Sequence, residues 1–144
     1  MPARDSFDYA IVRVVPHVER EEFLNAGVIL FCRTLDFLDA RVELDRARLA
    51  ALASDADAAE VERHLAAIPR LCAGGPDAGP IGRLSRAERF HWLVSPGSTI
   101  IQPSPVHCGL CSDPAAALEH LMERMVRRAA ATGASCHPVR SGTC

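Results

Sequence analysis

The chain has 144 residues, 49% hydrophobic and 24% charged, with a formal net charge of −2, which predicts a single folded domain around one core rather than a disordered segment. The near-neutral charge gives no strong signal for a nucleic-acid partner, and no apolar run approaches the length that spans a bilayer, so no membrane role is expected. All sixteen basic residues are arginine, a bias that GC-rich codon usage produces as readily as selection for the guanidinium fork, so it carries no functional weight.

In chain order, Phe7 to Val15 (FDYAIVRVV) is β-branched and aromatic, predicting a first strand that Pro16 ends. The charge run Glu19-Arg20-Glu21-Glu22 reads as a solvated turn, with a cation-binding carboxylate cluster as the weaker reading. Ala26 to Cys32 is a continuous apolar run, as a strand buried on both faces requires. Leu38, Ala40, Val42 and Leu44 alternate with Asp39, Arg41 and Glu43, predicting a half-buried antiparallel neighbour across Thr34 to Asp36. Asp45 opens a helical region, and Asp57 caps a second helix with Val61, Leu65, Ile68 and Leu71 on one face, kinked or shortened by Pro69. Cys72 to Gly82 (CAGGPDAGPIG) reads as a loop. Ser85 and Glu88 have capping-box spacing before Phe90, Trp92 and Leu93, predicting a short helix that enters a strand. The stretch STIIQPS predicts a brief strand. Asp113 as N-cap, Pro114 at the first helical position and a stripe of Leu118, Leu121, Met122, Met125 and Val126 predict an amphipathic C-terminal helix.

Runs of strand, helix, strand and helix predict an α+β fold: an antiparallel or mixed sheet of about four to five strands with packed helices. One domain is expected over residues 1–132, with a flexible tail over 133–144. The N-terminus has no small-residue cleavage site, so a cytoplasmic chain is expected, and in a reducing compartment its six cysteines are core filler, metal ligands or redox groups.

Two constellations could carry chemistry. Cys108-x-x-Cys111, beside His107, has the spacing of half a zinc site, whose other half would come from Cys136, His137 or Cys144. The alternative is a pair of packed thiols, and we expect no metal and no cofactor. The second is polar: Arg89 and His91, if on a strand, share a face to which Gln102, Ser104 and His107 could add. Arginine, histidine and hydroxyl together can hold a phosphate and move a proton, with His91 or His107 as acid/base and Ser104 as a hydrogen-bonding group. A salt-bridged surface is the plainer alternative. No Gly-x-x-x-x-Gly-Lys-Ser/Thr, Gly-x-Ser-x-Gly or His-Glu-x-x-His motif occurs, so P-loop, serine-hydrolase and zincin chemistry lack their usual parts.

The segments DYAIVRVVPHVEREEFLNAGVILFCR and GPIGRLSRAERFHWLVSPGSTIIQPSPVHCGLC, followed by Asp113-Pro114 and the last helix, resemble an uncharacterised bacterial family, domain of unknown function 3037, from about Phe7 to about Val126. The resemblance implies no established activity. It does imply a genomic neighbour resembling a HipA-type serine/threonine kinase, and hence a regulatory or binding module with such a kinase as partner. It also implies a matching polar set, Arg13, Glu22, Asn25, Arg89, His91, Gln102, Ser104 and His107, with Cys108 standing where threonine is usual. Of these, Arg13, Glu22, Asn25, Arg89 and Gln102 are the expected ligand-binding residues. The competing reading is an enzyme or binder of a phosphate-containing ligand.

Overall fold

A computed structural model of the protein describes residues 4–97 and 99–127. Five strands, β1 (Asp5–Val14), β2 (Leu24–Cys32), β3 (Phe37–Val42), β4 (Ile101–Pro103) and β5 (His107–Cys111), form one sheet in which every pairing is antiparallel. The order is β3-β2-β1, and the far side of β1 is shared: its first half pairs with β5 and its last three residues with β4. The apolar run of β2 is explained by its place between β1 and β3, where both faces are covered. Gly27 is required there because a Cβ would stand 2.6 Å from the Arg41 carbonyl oxygen on β3. The β2–β3 hairpin closes through Asp36, which holds a left-handed φ of 49° and donates its N–H to the Arg33 carbonyl.

Helices cover both faces. On one lie α1 (Arg46–Leu52), α2 (Ala58–Ala73) and α3 (Arg86–Leu93); on the other lies α4 (Pro114–Met125). The expected caps all form: the side chains of Asp45, Asp57, Ser85 and Asp113 accept from the first-turn N–H groups of their helices. Of the two effects expected of Pro69, a kink or a shortened last turn, shortening does not occur: α2 runs on to Ala73. The missing N–H removes one bond, while Val61, Leu65, Ile68 and Cys72 stay buried and hold the last turn. The run after Cys72, expected to be irregular, contains two 3-10 turns, Pro76–Ala78 and Pro80–Arg83. The expected tail over 133–144 lies outside the described residues.

The sheet divides the interior in two. Val12, Val14, Ile29, Phe31, Leu38 and Ala40 meet Leu49, α2 and Phe90, whose ring stacks on Phe31 at 5.2 Å. Phe7, Val28, Leu30, Cys32 and Cys111 meet Leu118, Leu121 and Met122 of α4. A bulge keeps this sorting intact: Val12 faces Gly27 but Arg13 faces Asn25, so Ala26 is the extra residue and Leu24 and Ala26 return to the α1–α3 side. Asn25 is thereby turned to the α4 side, where its Nδ2 donates to the Met125 carbonyl at 3.0 Å and closes the end of that helix.

Candidate functional site

The segment from Ile101 to Cys111 is one broken edge strand. Between its halves it advances four residues, Pro103 to His107, while β1 advances three, Val12 to Tyr9. Ser104 sits in this bulge, buried, and repairs it: its N–H donates to the Ile11 carbonyl at 2.8 Å, and its hydroxyl accepts from the Ile11 N–H at 2.8 Å while donating to the Pro105 carbonyl at 2.9 Å. The hydroxyl stands in for a strand carbonyl. Ser104→Ala is therefore expected to cost about 1–2 kcal/mol in urea unfolding, and to speed hydrogen exchange at the Ile11 amide; an unchanged midpoint would contradict the assignment.

The β5 strand was not legible as one, and it decides how the thiols are read. On a strand, residues three apart point to opposite faces: Cys111 joins the α4-side core, whereas Cys108 pairs with Asp8 on the alternate face. Two thiolates so placed do not converge on one ion. Among the described residues no group of three or more His, Cys, Asp or Glu could hold a metal, and Cys136, His137 and Cys144 lie outside those residues. Cys32, Cys72 and Cys111 are buried free thiols, and Cys108 is not among the free ones. Burial, with the Asp39 carboxylate adding to it, pushes the Cys72 thiol up to about 12, and burial foremost raises Cys111 as well. Neither thiol supplies thiolate near neutral pH.

Arg89 and His91, expected on a strand, are both on α3. The Ser85 cap starts a helix whose period places Arg89 and Phe90 inward and His91 outward. Arg89 is 8% exposed, and its Nη1 donates to the carbonyls of Gly82 at 3.4 Å and Leu84 at 3.3 Å. It lies so close to Gly74, whose φ is +72°, that a Cβ there would collide with Nη1. The guanidinium thus ties the end of α2 and the 3-10 turns to α3. His91 borders an open hollow of about 310 Å³ with Ser6, Asp8, Phe31 and Arg33. His107 is exposed on the other face, its ring 5.4 Å from that of Tyr9. The two histidines lie on opposite sides of the sheet.

What the fold does gather is a row across three strands: Asn25, Arg13 and Gln102 are direct register partners on the α4-side face, beyond the end of α4. His107 shares that face, but its partner Tyr9 lies four residues from Arg13 along β1, roughly 13 Å. The Arg13 guanidinium carbon lies 4.2 Å over the Phe23 ring, a cation–π geometry. A hollow of about 420 Å³ opens beside them, lined by Arg13, Val15, Val18, Glu21, Phe23, Gly97 and Gln102. Asn25 is committed to Met125, and Gln102 Nε2 donates to the Thr99 carbonyl at 2.9 Å. Glu22 does not line the hollow; it is exposed and pairs with Arg20 at 2.6 Å. Glu21 and Phe23 take the place expected for it. Sequence reasoning missed them because the β2 bulge and the left-handed Glu21, at φ 55°, set which side chains face Arg13. The only available signal was the alternation of Glu21, Phe23 and Asn25.

These features define an α+β domain with an open, arginine-centred hollow on one sheet face. A family model described as "Protein of unknown function (DUF3037)" matches residues 9–126, and the chain belongs to that family. No curated protein and no solved structure matches it.

Proposed function

We propose that the domain is a cytoplasmic binding or regulatory module without catalysis of its own, acting through a protein partner, and that the partner is a HipA-like serine/threonine kinase, as the family resemblance implies. The observation that carries the absence of catalysis is the use of the polar groups: Arg89 and Ser104 hold backbone, and His91 and His107 stand on opposite faces. The phosphate-chemistry reading needs arginine, histidine and hydroxyl within reach of one reacting atom, and the candidates among the described residues, Arg89, His91, Ser104 and His107, are not so gathered. The structural-zinc reading loses its pair at Cys108 and Cys111 to strand alternation.

Support for a protein partner comes from the surface. Trp92, 52% exposed, borders an apolar groove of about 310 Å³ between α2, α3 and β4 with Ile68, Leu71, Ile100 and Ile101. Exposed aromatic side chains over an apolar floor suit the centre of a protein interface. No helix among the described residues is long and apolar enough to cross a membrane.

The test is direct mixing of the purified full chain with a purified HipA-like kinase from the same genome, read by size-exclusion chromatography and calorimetry. A one-to-one complex with a Kd of about 1 μM or tighter, weakened at least tenfold by Trp92→Ser, is the expected outcome. Independent elution at concentrations of tens of micromolar would overturn the partner assignment.

A further inference from the structure

We propose that the hollow beside Arg13 binds a carboxylate carried on an apolar stem, which deepens the binding reading above by naming a ligand chemistry. Arg13 differs from the arginines that the fold has engaged. Arg20, Arg41, Arg46 and Arg127 pair with carboxylates, and Arg89 with carbonyls. Arg13 is half-buried, and among the described residues its Nε is shut away from water without an acceptor, as Arg89 Nε also is, but unlike Arg89 it has no carbonyl on its Nη groups and no carboxylate within ion-pair reach. A cation partly withdrawn from water and lacking an anion is unfavourable, and an incoming anion relieves it. The Phe23 ring packs against the guanidinium and limits its movement, and a guanidinium so held can offer two parallel bonds to one carboxylate.

The walls choose among anions. Glu21 stands on the rim, and with a single guanidinium present its charge opposes a dianion such as phosphate more than a monoanion. Val15, Val18 and Phe23 offer apolar surface to a short hydrocarbon stem. Gln102, held by Thr99 through one amide hydrogen, keeps a second N–H for the ligand. The chemistry is shared by a free monocarboxylic acid and by an acidic side chain of a partner protein.

The experiment is an NMR titration of the 15N-labelled full chain, observing the Arg13 Nε–H and the Gln102 amide. The probes are sodium hexanoate, the capped peptide Ac-Leu-Glu-Leu-NH2, its glutamine counterpart, and inorganic phosphate, all at matched pH and ionic strength. Saturable shifts at both groups with hexanoate or the glutamate peptide, but not with the glutamine peptide, support the site. Response to hexanoate alone identifies a free acid as the source, and response to the glutamate peptide alone identifies a protein side chain. Arg13→Gln should weaken binding about 10- to 100-fold, the value of losing one charge-assisted bidentate pair. Gln102→Ala should weaken it a few-fold and serves if Arg13→Gln misfolds. Equal or stronger response to phosphate, shifts that survive Arg13→Gln in a folded chain, or no response to any probe would overturn the proposal. A kinase complex that forms although no carboxylate responds would remove this inference and leave the binding reading standing.

Discussion

Arg89→Leu is expected to lower unfolding stability by about 2–3 kcal/mol, a shift in thermal midpoint of about 6–10 °C for a domain of this size. The side chain is 8% exposed, and Leu84 would lose the donor to its carbonyl. Leucine fills part of the volume but supplies no N–H, so a partly buried carbonyl is left unpaired. The Gly82 carbonyl keeps a second donor, the Gly75 N–H at 3.0 Å, which limits the loss to one orphaned group. Arg89→Lys should be intermediate, because the stem and charge remain but one ammonium cannot span both carbonyls. This separates a structural from a ligand-holding arginine: an anion clamp would lose affinity with little change in the urea midpoint. Unchanged stability in Arg89→Leu would return this residue to the list of ligand-binding candidates.

Leu118→Ala should cost about 3 kcal/mol or more, since the side chain is fully buried at the centre of the α4 contact and its removal leaves a cavity among Phe7, Leu30 and Met122. The expected unfolding stays cooperative. Both interior clusters are built on β1 and β2, whose alternate residues serve opposite faces, so loosening α4 exposes Val28 and Leu30 on the strand that also carries Ile29 and Phe31. Circular dichroism in urea should therefore give one transition at a lower midpoint with an unchanged slope. A separate early transition for α4 would show that the α1–α3 side folds without it, and the two faces would then be energetically independent.

The two variants bear on function as well as stability. Arg13 and Gln102 lie on the face that α4 covers only in part, and Asn25 beside them holds the helix end. Loosening α4 should therefore disturb the hollow at a distance, whereas Arg89→Leu acts on the opposite face and should leave it unchanged.

The helices were legible because their signals are local. Asp45, Asp57, Ser85 and Asp113 each bond N–H groups two or three residues on, and the Leu118, Leu121 and Met122 stripe needs only the 3.6-residue period. The two-sided burial of β2 was equally plain, since a strand covered on both faces has no polar alternation to maintain. The family followed from the same stretches of sequence, and with it the membership that residues 9–126 establish.

The site was legible only as a set of residues without an arrangement. Strand β5 is short and interrupted by glycine, so its pattern did not declare it, and only its pairing with Asp5 to Tyr9 sends Cys108 and Cys111 to opposite faces. Helical rather than extended backbone at Arg89 turned that guanidinium inward and His91 outward. The row of Asn25, Arg13 and Gln102 brings together residues far apart in the chain, with a bulge at Ala26 setting which of them share a face. Sequence by itself determined the helix caps, the first three strands, the polar inventory and the family, because each depends on neighbours a few residues away, whereas β5 and the helical backbone at Arg89 and His91 did not follow from it. Tertiary structure alone decided which polar groups are engaged, because a hydrogen-bond partner such as the Leu84 carbonyl for Arg89 Nη1, or its absence among the described residues for Arg13 Nε, is set by where the chain passes in space.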